Sequence, residues 1–598
     1  MQKKRNPHSF HIPVMGLAFT IDSPIKVAKY GISSVISIVD DIIIEKMNEY
    51  YSTKFEIPFK AISTKVEDYR AKRITSYLNT VDTIVKHKFE ALKNSFEEKS
   101  NEFEKYMDML PDFSELKQNF IETIHNNTLK ENVAHWIQNN LKPGSIDVNI
   151  MTKLDKPNYS KNELLPTEFN DAHAALRGFA NSNLESSVIL SAGMNPRLYS
   201  YFENFNDFFP NENNIQKKKI ILKVSDYRSA LIQGKFLAKK GLWVSEYRIE
   251  SGLNCGGHAF ASDGYLMGPI LEEFKNNKET LVTDIHNILI AALKNKGKHI
   301  PNAPLDLIIT VQGGVGTSEE HEFLLDNYNV NSVGWGTPFL LVPEASTVDS
   351  VTMEALKSAK EKDLYLSNIS PLGVPFNSLR GNTNEILKNE RIANNKAGSS
   401  CPKKFLASNT DYSEKVICTA SKKYQTIKLN ELSLENLSNT EYQKKASQIT
   451  DKACLCEGLS NAALIEYGIE HKGEKQGVAI CPGPNMAYFS KELSLKEMLA
   501  HIYGKINVVD TNNRPHMFIK ELSMYVHYFA NKVDEFKDSL TSKNEKYLNT
   551  FQHNLNDGIE YYHDLFSSFE TNKDNLLKEL ETLKNDLFNI QIPILVKV

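Results

Sequence analysis

Residues 305–337 read LDLIITVQGGVGTSEEHEFLLDNYNVNSVGWGT: an apolar run, a glycine-rich turn, a helix-like segment, a second apolar run and a second glycine-rich turn. The runs Leu305–Val311 and Ser332–Gly336 have the length and composition of buried strands. The first ends in Gly313, Gly314, Gly316 and Thr317, the second in Gly334, Gly336 and Thr337. Glycines at a strand end let backbone N–H groups approach an anion closely, and a following helix start and a threonine hydroxyl add further donors. One such turn is often only a tight connection. Two in succession point to a shared phosphate site.

Working outward, similar apolar runs stand at Val14–Phe19, Ser33–Val39, Ile146–Met151, Ser187–Ala192, Lys219–Val224 and Trp243–Ile249, which makes eight in all. Helical segments such as Arg228–Lys240 and Leu271–Lys294 separate most of them, so the unit is β-α with parallel strands. Eight such units predict an α/β fold of the (β/α)8 barrel type, whose phosphate sites lie after strands seven and eight. An open Rossmann sheet would carry its G-x-G-x-x-G turn early in the chain, and none stands there.

The chain of 598 residues exceeds one barrel of roughly 250. We expect the barrel at residues 1–44 and 141–382, a helical insertion at 45–140, a cysteine-bearing subdomain at 383–510 and C-terminal helices at 511–598, where Leu576, Leu577, Leu580, Leu583 and Leu587 fall at helical spacing. The C-terminal helices are expected to pack on the body or the insertion. A net charge of -4 gives no footprint for nucleic acid. No run approaches the roughly 18 to 20 apolar residues of a membrane helix, so the chain reads as cytoplasmic with no membrane partner. A homo-oligomer is compatible with this reading. Five of the six cysteines lie in the C-terminal part. Cys401, Cys418, Cys454 and Cys456 could together ligate zinc or an iron–sulfur cluster, although their spacing matches no C-x2-C signature, and scattered buried thiols explain them as well.

Barrel chemistry sits at the C-terminal ends of strands. After the sixth strand comes Ser251-Gly252-Leu253-Asn254-Cys255-Gly256-Gly257-His258, and a histidine behind two glycines can stand over a flat ligand and exchange protons near neutral pH. Lys223 ends the fifth strand inside an apolar run, where a cation needs an anionic partner. Asn149 ends the third and could hydrogen-bond a ligand.

Pro13-Val14-Met15-Gly16, Asp147-Val148-Asn149, Gly256-Gly257-His258, Gly313-Gly314-Val315-Gly316-Thr317 and Gly334-Trp335-Gly336-Thr337 together resemble the nitronate monooxygenase (2-nitropropane dioxygenase) family of FMN barrels, over about residues 10–40 and 143–382. That resemblance implies noncovalent FMN, with its phosphate at the two Gly/Thr turns. It places Met15, Gly16, Asn149, Lys223, Gly257, Gly313, Gly314, Gly316, Gly334, Trp335, Gly336 and Thr337 around the cofactor, with Lys223 beside the N1–C2=O edge of the flavin and His258 as the catalytic base. The implied activity is oxidation of a small acidic carbon compound. The same superfamily includes NAD(P)H-dependent flavin enoyl reductases acting on acyl thioesters, and Cys481-Pro482-Gly483-Pro484 is similar to a segment near their ends. A scaffold or RNA-modifying partner with a vestigial site is the third reading.

Overall fold

The computed structural model describes residues 7–593 apart from 97–100, 113, 127–129, 192, 262, 471–476, 511–513 and 538. Eight parallel strands form one sheet: β1 (Phe10–His11), β2 (Ser34–Ser37), β3 (Ile146–Met151), β4 (Ser187–Ser191), β5 (Lys219–Val224), β6 (Val244–Glu250), β7 (Ile308–Gln312) and β8 (Ser332–Gly334). From β2 onward each pairs with the next in sequence, and β1 pairs with β8, Phe10 opposite Val333 and His11 opposite Gly334. A single bridge from Ile12 to Ser34, with the Ile12 N–H donating to Ser33 O at 2.9 Å, draws β1 against β2. The sheet is thereby a nearly closed barrel with flanking helices.

The strands are short apolar runs buried on both faces, as parallel strands covered by helices must be. Val35, Ile189 and Ile221, from β2, β4 and β5, form a small apolar layer of their own. Nearby, buried Arg248 donates to Glu246 at 2.7 Å, and Thr310 donates to the same carboxylate.

The expected first strand is corrected. Val14–Phe19 is not a strand: Pro13 lacks an N–H for the ladder, and Gly16 turns the chain at φ +52°. The strand is the preceding pair, Phe10–His11. Between β2 and β3 the chain runs through helices Asp41–Lys54, Tyr69–Asn94, Asn101–Met109, Glu115–Asn126 and Lys130–Asn140. Asp40 caps the first of them, its carboxylate accepting from the N–H groups of Ile42 and Ile43.

After β8 the hairpin β9 (Leu364–Ser367) and β10 (Phe376–Leu379) leads into short helices and turns. Helices Met517–Phe536, Ser542–Ser567 and Lys573–Asn589 pack on one another, and the second also packs on the barrel helix Met267–Asn295. There the Gly268 N–H donates to the Tyr562 hydroxyl at 3.1 Å, and a Cβ at Gly268 would stand 2.4 Å from that ring. Among the described residues no helix is long and apolar enough to cross a membrane.

Candidate functional site

A cavity of about 400 Å³ opens at the C-terminal ends of the strands, within the ~300–1,000 Å³ usual for cofactor sites. Neighbouring strands β7 and β8 align Gln312 with Gly334. Gly313, Gly314 and Val315 from one mouth therefore face the same space as Gly336 and Thr337 from the other. Among the described residues no acceptor takes the backbone N–H groups of Gly314, Val315, Gly336 or Thr337. Two strand ends thus present unclaimed donors to one cavity, which suits an anion.

Gly314 must be glycine on two grounds. Its φ is +78°, and a Cβ there would lie 2.1 Å from Asn254 Nδ2.

Gly316 and Trp335 depart from expectation. The Gly316 N–H donates to Glu320 Oε2 at 2.9 Å and Gly316 does not line the cavity. Helix Ser318–Tyr328 is already capped by Thr317 and carries Glu319 and Glu320 in its first turn, so its start is satisfied from within. The Trp335 indole is fully buried away from the cavity and donates to His321 Nδ1 at 3.1 Å.

Met15, Gly16, Asn149, Lys223, Gly257, Gly334 and His258 all line the cavity. Asn149 Oδ1, Gln312 Oε1 and Asn254 Oδ1 are buried without a hydrogen-bond partner. Buried acceptors of this kind are costly unless a ligand supplies the donor, and the imide and ribityl hydroxyls of FMN are donors. The residues present therefore fit FMN: open N–H groups for its phosphate and unpaired amide oxygens for its polar edges.

Lys223 has a protein partner. Its Nζ reaches both oxygens of Glu250, and Gln312 Nε2 donates to the same carboxylate at 2.6 Å. Beside this group the Cys255 thiol donates to Gln312 O at 3.6 Å, and burial, aided by the Glu250 charge, pushes its pKa far up, so it stays protonated.

His258 hydrogen-bonds Ser370 Oγ through Nε2 at 2.7 Å and packs edge-on against Phe376, ring centroids 4.8 Å apart. Burial lowers its pKa to about 4, so the imidazole is neutral near pH 7. The glycines before it are required for different reasons: Gly257 by a φ of +79° with open space around it, Gly256 by packing. A Cβ at Gly256 would stand 2.5 Å from Cys481 O, and that carbonyl accepts from the Gly257 N–H at 3.1 Å.

Sequence reasoning missed what covers the cavity. Phe405, Leu406, Leu455, Leu459 and Ile480 line it from far downstream of the barrel. Leu459 O accepts from the Ala18 N–H at 3.1 Å, and the Gly483 N–H donates to Thr337 Oγ1 at 2.9 Å. The signal available was the resemblance of residues 481–484. The apolar residues at 405, 406, 455 and 459 stand in turn-rich sequence with no periodicity to mark them.

The four cysteines lie near one another as two hydrogen-bonded pairs, Cys401 with Cys418 and Cys454 with Cys456, each within electrostatic reach of the other. Among the described residues no three His, Cys, Asp or Glu side chains are grouped to hold a metal ion. Cys401 and Cys418 pack with Ala407 and Ala420 in a small apolar cluster, whereas Cys454 and Cys456 belong to the main core.

No family model matches the chain, and no curated protein matches it. Among solved structures, FabK from Thermotoga maritima is similar at 13% identity, covering 67% of this chain and 86% of that one with a TM-score of 0.29. The enoyl reductase domain of MlnA from the macrolactin biosynthesis cluster of Bacillus amyloliquefaciens is similar at 13% identity, over 75% and 88%, with a TM-score of 0.30.

Proposed function

We propose that the protein is an FMN-dependent oxidoreductase that uses NAD(P)H to reduce the C=C bond of an α,β-unsaturated acyl thioester. The observation that carries this reading is His258, a neutral imidazole with a pKa of about 4 on the wall of a cavity covered by apolar side chains. A neutral imidazole donates a hydrogen bond to a carbonyl without first giving up a proton, which is the polarisation an enoyl thioester needs. Phe405, Leu406, Leu455, Leu459 and Ile480 offer an apolar surface for an acyl chain.

Gly314, Val315, Gly336 and Thr337 would hold the FMN phosphate, with Asn149, Asn254 and Gln312 toward its polar edges. Bound there, FMN supplies hydride transfer. The chain's own residues orient the substrate and exclude water beneath the apolar cover. Oxidation of a nitronate or other small acidic carbon compound, with His258 as base, is the second reading; a histidine of such low basicity serves it less well.

The test is anaerobic stopped-flow on FMN-loaded protein. Bleaching by NADPH or NADH, followed by reoxidation with a 2-enoyl thioester, is expected. Bleaching by an alkyl nitronate and not by either nicotinamide would overturn the reductase reading in favour of the oxidase.

A further inference from the structure

The Gly313–Val315 mouth has an acidic neighbour. Glu320 reaches back from the first turn of its helix to accept the Gly316 N–H at 2.9 Å, and it also accepts the Met517 N–H at 2.8 Å. A carboxylate in that position opposes any anion approaching the loop. It is answered by one residue of the C-terminal extension. Arg514 grips Glu320 with both terminal nitrogens, Nη1 to Oε1 and Nη2 to Oε2, each at 2.7 Å. The same guanidinium donates to Gly314 O at 2.8 Å and, through Nε, to Asn485 Oδ1 at 2.9 Å; Asn485 in turn donates to Val315 O at 2.7 Å. The side chains of Arg514 and Glu320 are only 5% and 4% exposed, so solvent screens their charges little. Burial works against the charge on Glu320, yet Arg514 and its hydrogen bonds hold its pKa below the usual value, so the pair is ionised.

We infer that Arg514 is a positioning residue for a phosphate group. It neutralises Glu320 and fixes the carbonyls of Gly314 and Val315 away from the cavity, which leaves the N–H side of that loop free for an anion. This deepens the FMN reading and rests on it. The loop is then competent for a dianion only while the C-terminal extension is seated, because the cation that offsets the acid arrives from residue 514.

The experiment compares FMN with riboflavin, which lacks the phosphate, by flavin-fluorescence titration of full-length apoprotein. The parent is expected to bind FMN well ahead of riboflavin. Arg514→Met is expected to weaken FMN on the order of a hundredfold while changing riboflavin little, as an uncompensated buried carboxylate faces the phosphate. Adding Glu320→Gln to that variant should restore most of the loss. FMN affinity unchanged in Arg514→Met, equal loss of both flavins in a folded variant, or no rescue by the second substitution overturns the role. Glu320→Gln alone keeps the cation and provides a check should Arg514→Met fail to fold. It is expected to bind FMN at least as tightly as the parent, and weaker FMN binding with riboflavin unaltered counts against the inference. A parent protein that binds neither flavin rejects the FMN reading itself, an outcome separate from all of these.

Discussion

Lys223 Nζ lies 2.8 Å from Glu250 Oε1 and 2.7 Å from Oε2, so the cation at the end of β5 is held by a carboxylate of the neighbouring strand. A positive charge beside FMN favours its reduction, and the carboxylate tempers that charge. Lys223→Met is therefore expected to slow reduction of bound FMN by NAD(P)H about tenfold or more, while Glu250→Gln leaves Lys223 unopposed and raises the reduction potential. Potentiometric titration of the two variants checks this. Shifts in the same direction would refute the opposition of the pair.

His258→Ala is expected to retain FMN and lose on the order of 10²-fold in turnover, since the imidazole lines the cavity wall and not its glycine-bearing mouths. With a pKa of about 4, the wild-type histidine puts no limb near pH 6.5 on the rate profile. Its acid limb falls near pH 4, reached as the imidazole gains a proton on descending pH. A kcat/KM profile with a half-maximum near 6.5 that disappears in the alanine variant would contradict the neutral assignment.

Gly314→Val places a branched side chain where even a Cβ meets Asn254 Nδ2 at 2.1 Å, at a φ of +78°. The strain displaces the loop from the phosphate mouth, and purified protein should come out depleted of flavin. Absorbance at the flavin band against protein concentration measures it, and full occupancy would remove Gly314 from the site.

Glu521 enters from the C-terminal helix Met517–Phe536, wholly buried, accepting from Ser251 Oγ, the Met267 N–H and the Tyr562 hydroxyl. Burial raises its pKa to about 7 from an ordinary 4.5. Between those values the folded protein holds a proton that the unfolded chain has released, so stability is greatest below about pH 4.5 as far as this group is concerned and falls as pH rises to 7. The loss is about 3 kcal/mol. Glu521→Gln should flatten that part of the dependence, and parallel curves of Tm against pH for variant and parent would dismiss the effect.

Much of the barrel is legible in residues that the structure keeps as strands. β3 to β8 follow apolar runs with few polar interruptions, and the glycine-ended pair β7 and β8 marks two mouths of the one cavity. The first strand is less legible because Phe10–His11 is too short to make a pattern, while Val14–Phe19 is apolar for another reason: it lines the cavity and packs beneath Leu459. A sequence also does not reveal which glycine N–H is already satisfied. Gly316 and Gly314 look alike on paper, yet Glu320 takes the Gly316 N–H while Gly314 turns at φ +78° into the cavity. For the same reason Trp335 reads as a site residue although its indole turns outward to His321. Cys401, Cys418, Cys454 and Cys456, far apart in sequence, come within electrostatic reach of one another in the fold, which no C-x2-C spacing announces.

The pairing of Phe10 and His11 with Val333 and Gly334 has a consequence for how the chain matures. During synthesis the amino-terminal strand waits for more than three hundred residues before its partner leaves the ribosome, so the ring of strands cannot finish cotranslationally until about residue 334 has emerged. Contacts this distant in sequence make folding slow and leave an unpaired edge exposed in the interval. Nascent chains halted short of that point are expected to engage chaperones, and those released beyond it to depend on them far less.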